Sequence, residues 1–274
     1  MNKTPPLLPD GACDCHMHFY PDVPPSERPV HQAKTQPAWI DDYRAMMQRT
    51  GVSRFVAVQS FMFGFDNSAM LEAMEAFGDC VRGVAMFPLD TSLTALKSLH
   101  EKGIRGVRVF MLEDAVYDWD DLPALAKLIE PLGWHIQLQF DGRQLPALFD
   151  RLADIACPAI IDHNGKFLEP VTAQDPAFEA LLRLLDRGNF WVKLSAPYET
   201  SRSGAPNYDD VSLLAKALVK HRPDRLVWAT NFPHRGFYPP PDDTDLVKLL
   251  EQWAPDGETR RKILVDNAAD FYGF

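Results

Sequence analysis

Two histidines separated by one residue stand near the start of the chain, in the segment "DCHMH". In a β-strand, residues i and i+2 point to the same face, so His16 and His18 would share one space. That arrangement suits a metal site or acid–base chemistry, or it is a chance spacing. His163 in "IIDHNGKF" and Asn231 in "WATNFPH" also stand where short apolar runs end. We take these four residues as candidate catalytic residues.

The elements that would position them alternate along the chain. Eight short segments rich in β-branched and aromatic residues predict strands, and seven helical patterns lie between them, with two more after the last strand. This count predicts an α/β protein with a single (β/α)8 TIM-barrel domain over residues 1–274. A doubly wound open sheet would show the same alternation, but no G-x-G-x-x-G or P-loop motif follows any strand. The predicted strands are 12–19, 54–61, 81–89, 104–111, 135–141, 157–163, 190–196 and 225–231.

A closed barrel brings the carboxyl ends of its strands to one mouth, so the four candidates should surround one pocket. The loops 20–37, 197–208 and 232–242 should lie at the same mouth. His135 opens its strand and should therefore lie at the barrel floor. Cys13 and Cys15 flank Asp14 in the alternation and should face away from the histidines.

The charge and composition exclude several classes of partner. The formal net charge is −10 and no Lys/Arg run is visible, so we expect no nucleic-acid partner. No stretch approaches 18 apolar residues and no signal peptide is apparent, so we expect no membrane association. The four cysteines lack disulfide or zinc spacing, which favours reduced thiols in the cytoplasm. A homo-oligomer stays open.

Several basic and polar residues should reach the same mouth and bind substrate. A barrel-strand arginine near the mouth needs an anion to satisfy it, so Arg108 predicts a carboxylate on the substrate. Surface salt bridges are the alternative for each of the other cations. The candidate substrate-binding residues are Gln59, Ser60, Arg108, Gln139, Lys166, Lys193, Tyr198, Arg202 and His234.

At this point the chain resembles a known family. The segments "DCHMH", "IIDHNGKF", "VKLSAPY", "WATNFPH" and "NAADFYGF" resemble the amidohydrolase superfamily over essentially the whole chain. The similarity is to the lactonase branch, which includes 2-pyrone-4,6-dicarboxylate lactonases and galactarolactone isomerases. The resemblance implies a distorted TIM barrel, a small anionic lactone as the substrate and a role in carbohydrate-acid catabolism.

The chain departs from the metal-dependent members of that superfamily. Those members carry a lysine or glutamate on strand four, histidines on strands five and six, and an aspartate on strand eight. Here strand four offers Arg108, strand five ends in Gln139 and Asp141, and Asn231 replaces the aspartate. The resemblance therefore implies a metal-independent enzyme without a cofactor. Zinc held by His16, His18 and His163 is the second choice.

Asparagine at position 231 leaves two mechanisms open. It cannot act as a base, but it can orient a hydroxyl group or a water by hydrogen bonds. Either a histidine activates water and the lactone is hydrolysed, or a substrate hydroxyl attacks the lactone carbonyl and the ring isomerises. We therefore expect acyl transfer at the carbonyl of a small carboxylate-bearing lactone of the sugar-diacid or pyrone-dicarboxylate type.

Three alternatives remain at this point. One is a metal-dependent decarboxylase of an unsaturated or aromatic acid, which would need a zinc or manganese site. Another is an inactive paralogue that binds a lactone or acid. In the third, Asn231 is an engineered replacement for aspartate in an otherwise hydrolytic enzyme.

Overall fold

A computed structural model describes residues 7–22, 37–113 and 115–274. Eight parallel strands follow one another around the sheet in sequence order, which confirms the (β/α)8 prediction. The strands are β1 (Cys13–Met17), β2 (Arg54–Val58), β3 (Val81–Ala85), β4 (Ile104–Phe110), β5 (His135–Gln139), β6 (Ala159–Ile161), β7 (Phe190–Leu194) and β8 (Leu226–Trp228).

Apolar faces of the helices cover the outside of the barrel. They pack on the outward side chains of the strands, and a second apolar cluster fills the barrel interior. The helices are α1 (Ile40–Thr50), α2 (Ser68–Glu75), α3 (Leu93–Glu101), α4 (Leu122–Ile129), α5 (Leu145–Ala153), α6 (Pro176–Asp186), α7 (Asp209–His221), α8 (Asp243–Trp253), α9 (Gly257–Arg261) and α10 (Asn267–Tyr272). Within the described ranges, no helix has the length and apolar character needed to cross a membrane.

The C-terminal helix covers the barrel floor. Phe271 and Tyr272 lie against the ring of His135, with ring centroids 4.6 and 5.3 Å away. The prediction that His135 lies at the floor, opposite the mouth, is therefore confirmed.

The barrel closes at the residues of interest. After β8 the chain leaves its strand and lies against β1, where the Asn231 amide donates to the His16 carbonyl at 2.9 Å. The His18 amide donates to the Phe232 carbonyl, also at 2.9 Å. The backbone positions of Asn231 and the two histidines are thus fixed by the same hydrogen bonds that close the barrel.

The strands end earlier than the sequence predicted, and the excess residues form the mouth. His163, Ala196 and Asn231 have φ values of 53°, 45° and 65°, so they cannot continue a strand. Such left-handed conformations cost non-glycine residues about 1–3 kcal/mol each and concentrate at functional sites. The sequence around these three residues has the composition of a strand, so it could not show that the backbone turns away there.

The prediction for Cys13 and Cys15 was wrong. The pairing of β1 with β2 shifts register between Asp14 and Met17, so the simple alternation breaks there. Cys13 and Cys15 pack in the barrel interior, while Asp14 turns outward to the Tyr43 hydroxyl at 3.0 Å. The shift lets His16 point inward directly after the inward Cys15. The predicted loop 20–37 lies largely outside the described residues.

Candidate active site

A cavity of about 590 Å³ opens at the carboxyl ends of the strands. Seven of the predicted site residues line it, drawn from strand ends or the turns that follow them. They are His18, Ser60, Arg108, Gln139, His163, Lys166 and Asn231.

Two predicted site residues lie beneath the cavity. His16 and Lys193 are fully buried in the barrel interior and do not line it. Lys193 therefore does not bind substrate directly, because its ammonium group is already surrounded by protein acceptors. We call His16, Gln137, Asp162 and Lys193 the buried network.

Three other predictions of direct substrate binding are corrected by the geometry. The Gln59 amide donates to the carbonyls of Gly64 and Asp66 and so braces its own loop. Tyr198 and His234 bind each other behind Asn231, outside the cavity lining.

Arg202 is the clearest correction. It is 65% exposed and binds Glu169 at 2.8 Å, away from the cavity. A loop position adjacent to a functional segment does not by itself direct a flexible side chain inward.

The buried network is held by short polar contacts. The Lys193 ammonium lies 2.7 Å from Gln137 Oε1, 3.4 Å from Asp162 Oδ1 and 3.3 Å from His16 Nδ1. The Gln137 amide donates to Asp162 Oδ2 at 3.0 Å. Although burial alone would raise the pKa of the Asp162 carboxyl, Lys193 and Arg108 help hold it below its usual range. Asp162 is therefore a carboxylate paired with a buried cation.

Above this network, His18 and His163 present uncharged imidazoles to the cavity. Burial and the nearby Arg108 lower the pKa of His18 to about 3, and burial holds the pKa of His163 well below its usual range. His18 Nδ1 donates to the Val58 carbonyl at 2.7 Å, and His163 Nδ1 lies 2.8 Å from the Ser195 hydroxyl. Both rings are thus fixed in orientation and neutral at physiological pH.

Arg108 is a basic group of the cavity with unused hydrogen-bonding capacity. Its Nη1 and Nη2 donate to the Gln59 carbonyl at 2.7 Å and to Gln139 Oε1 at 2.8 Å. Its Nε is buried without a hydrogen-bond partner. The bonds to Gln59 and Gln139 use two of the four Nη hydrogens and the side chain lines the cavity, so this guanidinium is suited to an anion there.

The neighbours of Asn231 fix the orientation of its side-chain amide. Its Nδ2 donates to the Tyr198 hydroxyl at 3.0 Å and to Glu199 Oε1 at 2.8 Å, which leaves Oδ1 as the accepting atom. Glu199 also pairs with Lys166, whose pKa is lowered by burial to about 8. An aspartate at position 231 would place a second carboxylate against Glu199. We call His18, Arg108, His163, Lys166, Glu199 and Asn231 the cavity wall.

Sequence reasoning missed several residues of this site. Glu199 follows Tyr198 directly after β7, and its place in that turn was the available signal. Gln137 shares strand parity with His135 and Gln139, so its inward orientation was readable from the alternation. For Asp162, the neighbour of His163, no signal separated a network member from an ordinary strand residue. Tyr20 and Arg235 also line the cavity.

Three buried residues, the donor set, bring possible metal-ligand atoms close together. Ligand atoms of His16, Asp162 and His163 lie within 4.8 Å of one another, with Asp162 in the place that the sequence analysis gave to His18. However, Lys193 approaches both His16 Nδ1 and Asp162 Oδ1, and Arg108 and Lys166 add further positive charge nearby. A divalent cation would face three basic groups against one paired carboxylate. These residues therefore do not fit a metal ion.

Comparisons with known proteins identify relatives of this chain. The sequence profile described as Amidohydrolase matches residues 13–274. The D-galactarolactone isomerase of Agrobacterium fabrum is 32% identical, over 96% of this chain and 91% of that protein. The 2-pyrone-4,6-dicarboxylate hydrolase of Comamonas testosteroni is 33% identical, over 97% and 91%. An apo crystal structure from Agrobacterium tumefaciens superposes with a TM-score of 0.88 at 32% identity, covering 98% of both chains.

Proposed function

The chain belongs to the amidohydrolase family, and from that premise we propose that it is an enzyme acting by acyl transfer at the ring carbonyl of a small carboxylate-bearing lactone. The observation that carries the proposal is one cavity that combines an incompletely satisfied arginine with two neutral imidazoles. The two relatives described above are named for a lactone and a pyrone dicarboxylate.

Arg108 binds the carboxylate of the substrate. Its Nη atoms are anchored by Gln59 and Gln139, so the fork is held rigid, and these two bonds leave further Nη hydrogens for a carboxylate. Lys166 adds positive charge to the same cavity and is itself held by Glu199.

The imidazoles of His18 and His163 serve the lactone carbonyl. Negative charge develops on the carbonyl oxygen as the tetrahedral intermediate forms, and a preorganised hydrogen-bond donor stabilises it. Both rings are neutral and fixed, but their roles differ. The His18 hydrogen is held on Nδ1 by Val58, so His18 can only accept the proton of the attacking group, at the Nε2 that also faces His16. His163 therefore donates to the carbonyl oxygen through Nε2.

Asn231 orients the attacking oxygen through its Oδ1. In hydrolysis the attacking water donates one hydrogen to Oδ1 and gives its other proton to the imidazole. In isomerisation the single hydrogen of the attacking substrate hydroxyl goes to the imidazole, so Oδ1 orients the substrate by accepting from another of its hydroxyl groups. Holding a hydroxyl against a carbonyl is worth effective molarities of about 10⁵ M or more in favourable geometries, so isomerisation needs no strong base.

We further propose that the reaction is metal-independent and that the enzyme is cytoplasmic. The first rests on the three basic groups around the donor set. The second is supported by four cysteines that are all free thiols.

The proposal is tested by NMR time courses with a panel of sugar-diacid and pyrone lactones in H₂¹⁸O. We expect turnover of at least one lactone that carries a carboxylate. Label in the product carboxylate identifies hydrolysis, and ring change without label identifies isomerisation. Failure to convert any lactone of the panel, together with decarboxylation of an unsaturated acid, would overturn it.

A further inference from the structure

The position of Lys193 at the centre of the buried network goes beyond the proposed reaction. Its ammonium has three hydrogens, and three acceptors surround it: Gln137 Oε1, Asp162 Oδ1 and His16 Nδ1. Two of these acceptors, on His16 and Asp162, belong to the group with metal-ligand geometry. A cation carried by the chain itself therefore occupies the approach to those ligand atoms.

The charges around this position are consistent with a built-in cation. Asp162 and Lys193 are both 0% exposed. A buried carboxylate is stable only when a cation or several donors compensate it, and here Lys193 and Gln137 do so. The network thus meets the need that a metal ion would otherwise meet.

The Val58 carbonyl determines which atoms donate and which accept in the hydrogen bonds from His18 to His16 and Lys193. The Val58 carbonyl can only accept, so His18 carries its hydrogen on Nδ1 and has a lone pair on Nε2. His16 Nε2 lies 3.1 Å from His18 Nε2 and must be the donor of that pair. His16 Nδ1 is consequently an acceptor, which matches its contact with the lysine.

We propose that the Lys193 ammonium takes the place of a divalent cation in this site, and that it donates to the His16 Nδ1 lone pair, which the hydrogen bonds from the Val58 carbonyl through His18 leave as an acceptor. Lys193 and His16 are positioning residues in this account, because neither lines the cavity. The inference does not depend on which lactone is the substrate.

The test begins with the parent protein labelled with ¹⁵N at histidine. Two-bond ¹⁵N–¹H correlations should show His16 with its hydrogen on Nε2 and His18 with its hydrogen on Nδ1. In Lys193→Met, measured in chelator, both tautomers should persist, because Val58 still fixes His18 and the Gln137 amide still lies 3.3 Å from His16 Nδ1. An Nδ1–H form of His16 in the parent would overturn the proposal even if the variant failed to fold.

Binding of Co²⁺ gives a second, independent readout. Calorimetry and visible absorption should show about one Co²⁺ per chain in Lys193→Met and none at this site in the parent. Lys166→Met is the matched control, since it removes a buried lysine that lies outside the buried network, and it should gain no ion. The double variant Lys193→Met/Asp162→Asn should lose the gain. A folded Lys193→Met that binds no more Co²⁺ than the parent would contradict the proposal.

Discussion

The buried network and the cavity wall contain similar side chains, but they differ in whether every polar hydrogen has a hydrogen-bond acceptor. In the buried network, the Lys193 ammonium has an acceptor for each of its hydrogens. In the cavity wall, Arg108 keeps a buried Nε–H without a partner. Arg108 also lines the cavity and keeps Nη hydrogens beyond its bonds to Gln59 and Gln139, so it can bind a ligand there. The difference separates the supporting groups from those that meet the substrate.

The largest effect should come from removing an imidazole of the cavity wall. His163→Ala should lower kcat by about 10²–10³, because the carbonyl oxygen loses a preorganised partner. The control is His221→Ala, which removes a histidine from an exposed pair with Asp186 and should leave kcat unchanged. Equal kcat values for parent and His163→Ala on a turned-over lactone would remove His163 from the mechanism.

A smaller effect is expected when Asn231 of the cavity wall is replaced by aspartate. Asn231→Asp places a carboxylate beside Glu199, and repulsion between like charges raises the pKa of the new group. The new base can activate water, so the ratio of hydrolysis to isomerisation should rise about tenfold. The ratio is measured with one lactone in H₂¹⁸O. If it is the same in both proteins, position 231 does not select the nucleophile.

The dependence of folding stability on acidic pH compares His18 of the cavity wall with His135 at the barrel floor. Burial lowers the pKa of His135 and of His18 to about 3, while their unfolded value is 6.5. Between those values the unfolded chain binds more protons, so stability rises with pH across this window and is lost on acidification. Asp14, whose pKa burial raises to about 6, acts in the opposite sense from 3.8 to 6.

His135→Gln isolates one of these protons without touching the cavity. The free energy of unfolding, from urea titrations between pH 6.5 and 4, should fall less steeply in the variant. The difference should approach the slope of one proton, about 1.4 kcal/mol per pH unit. Identical slopes would show that His135 is not held neutral by burial.

The smallest expected effect is that of a chelator. Dialysis of the parent against a strong chelator should leave kcat/KM unchanged within error, because basic groups surround the donor set. Metal content measured on the same sample gives the matching control. Loss of activity that returns with stoichiometric zinc would contradict the charge argument.

The fold was accessible from the sequence because it depends on repeating patterns. Alternation of eight strand-like and helix-like segments determined the barrel, and barrel geometry then brought His18, His163 and Asn231 to one mouth. These inferences use only periodicity and topology, which a single chain displays directly.

The parts that failed depend on local departures from those patterns. The register shift in β1 turned His16 inward beside Cys15 and could not be read from alternation. The prediction that Lys193 and Arg202 bind substrate failed because a positive charge in the sequence does not show which anionic group the side chain will contact. Lys193 pairs with Asp162 in the barrel interior, and Arg202 pairs with Glu169 at the surface. Glu199 escaped notice because only the three-dimensional turn brings it to Asn231.

The central claim is that Arg108 binds the carboxylate of the lactone, and a cycle of two enzymes and two substrates tests it most directly. The substrates are one turned-over lactone and its carboxamide analogue, and the enzymes are the parent and Arg108→Ala, with Arg202→Ala as the exposed control. The parent and Arg202→Ala should prefer the carboxylate in kcat/KM by about 2–5 kcal/mol, the usual cost of unpairing a buried charge. We predict that Arg108→Ala loses this preference. An unchanged preference in Arg108→Ala would contradict the account.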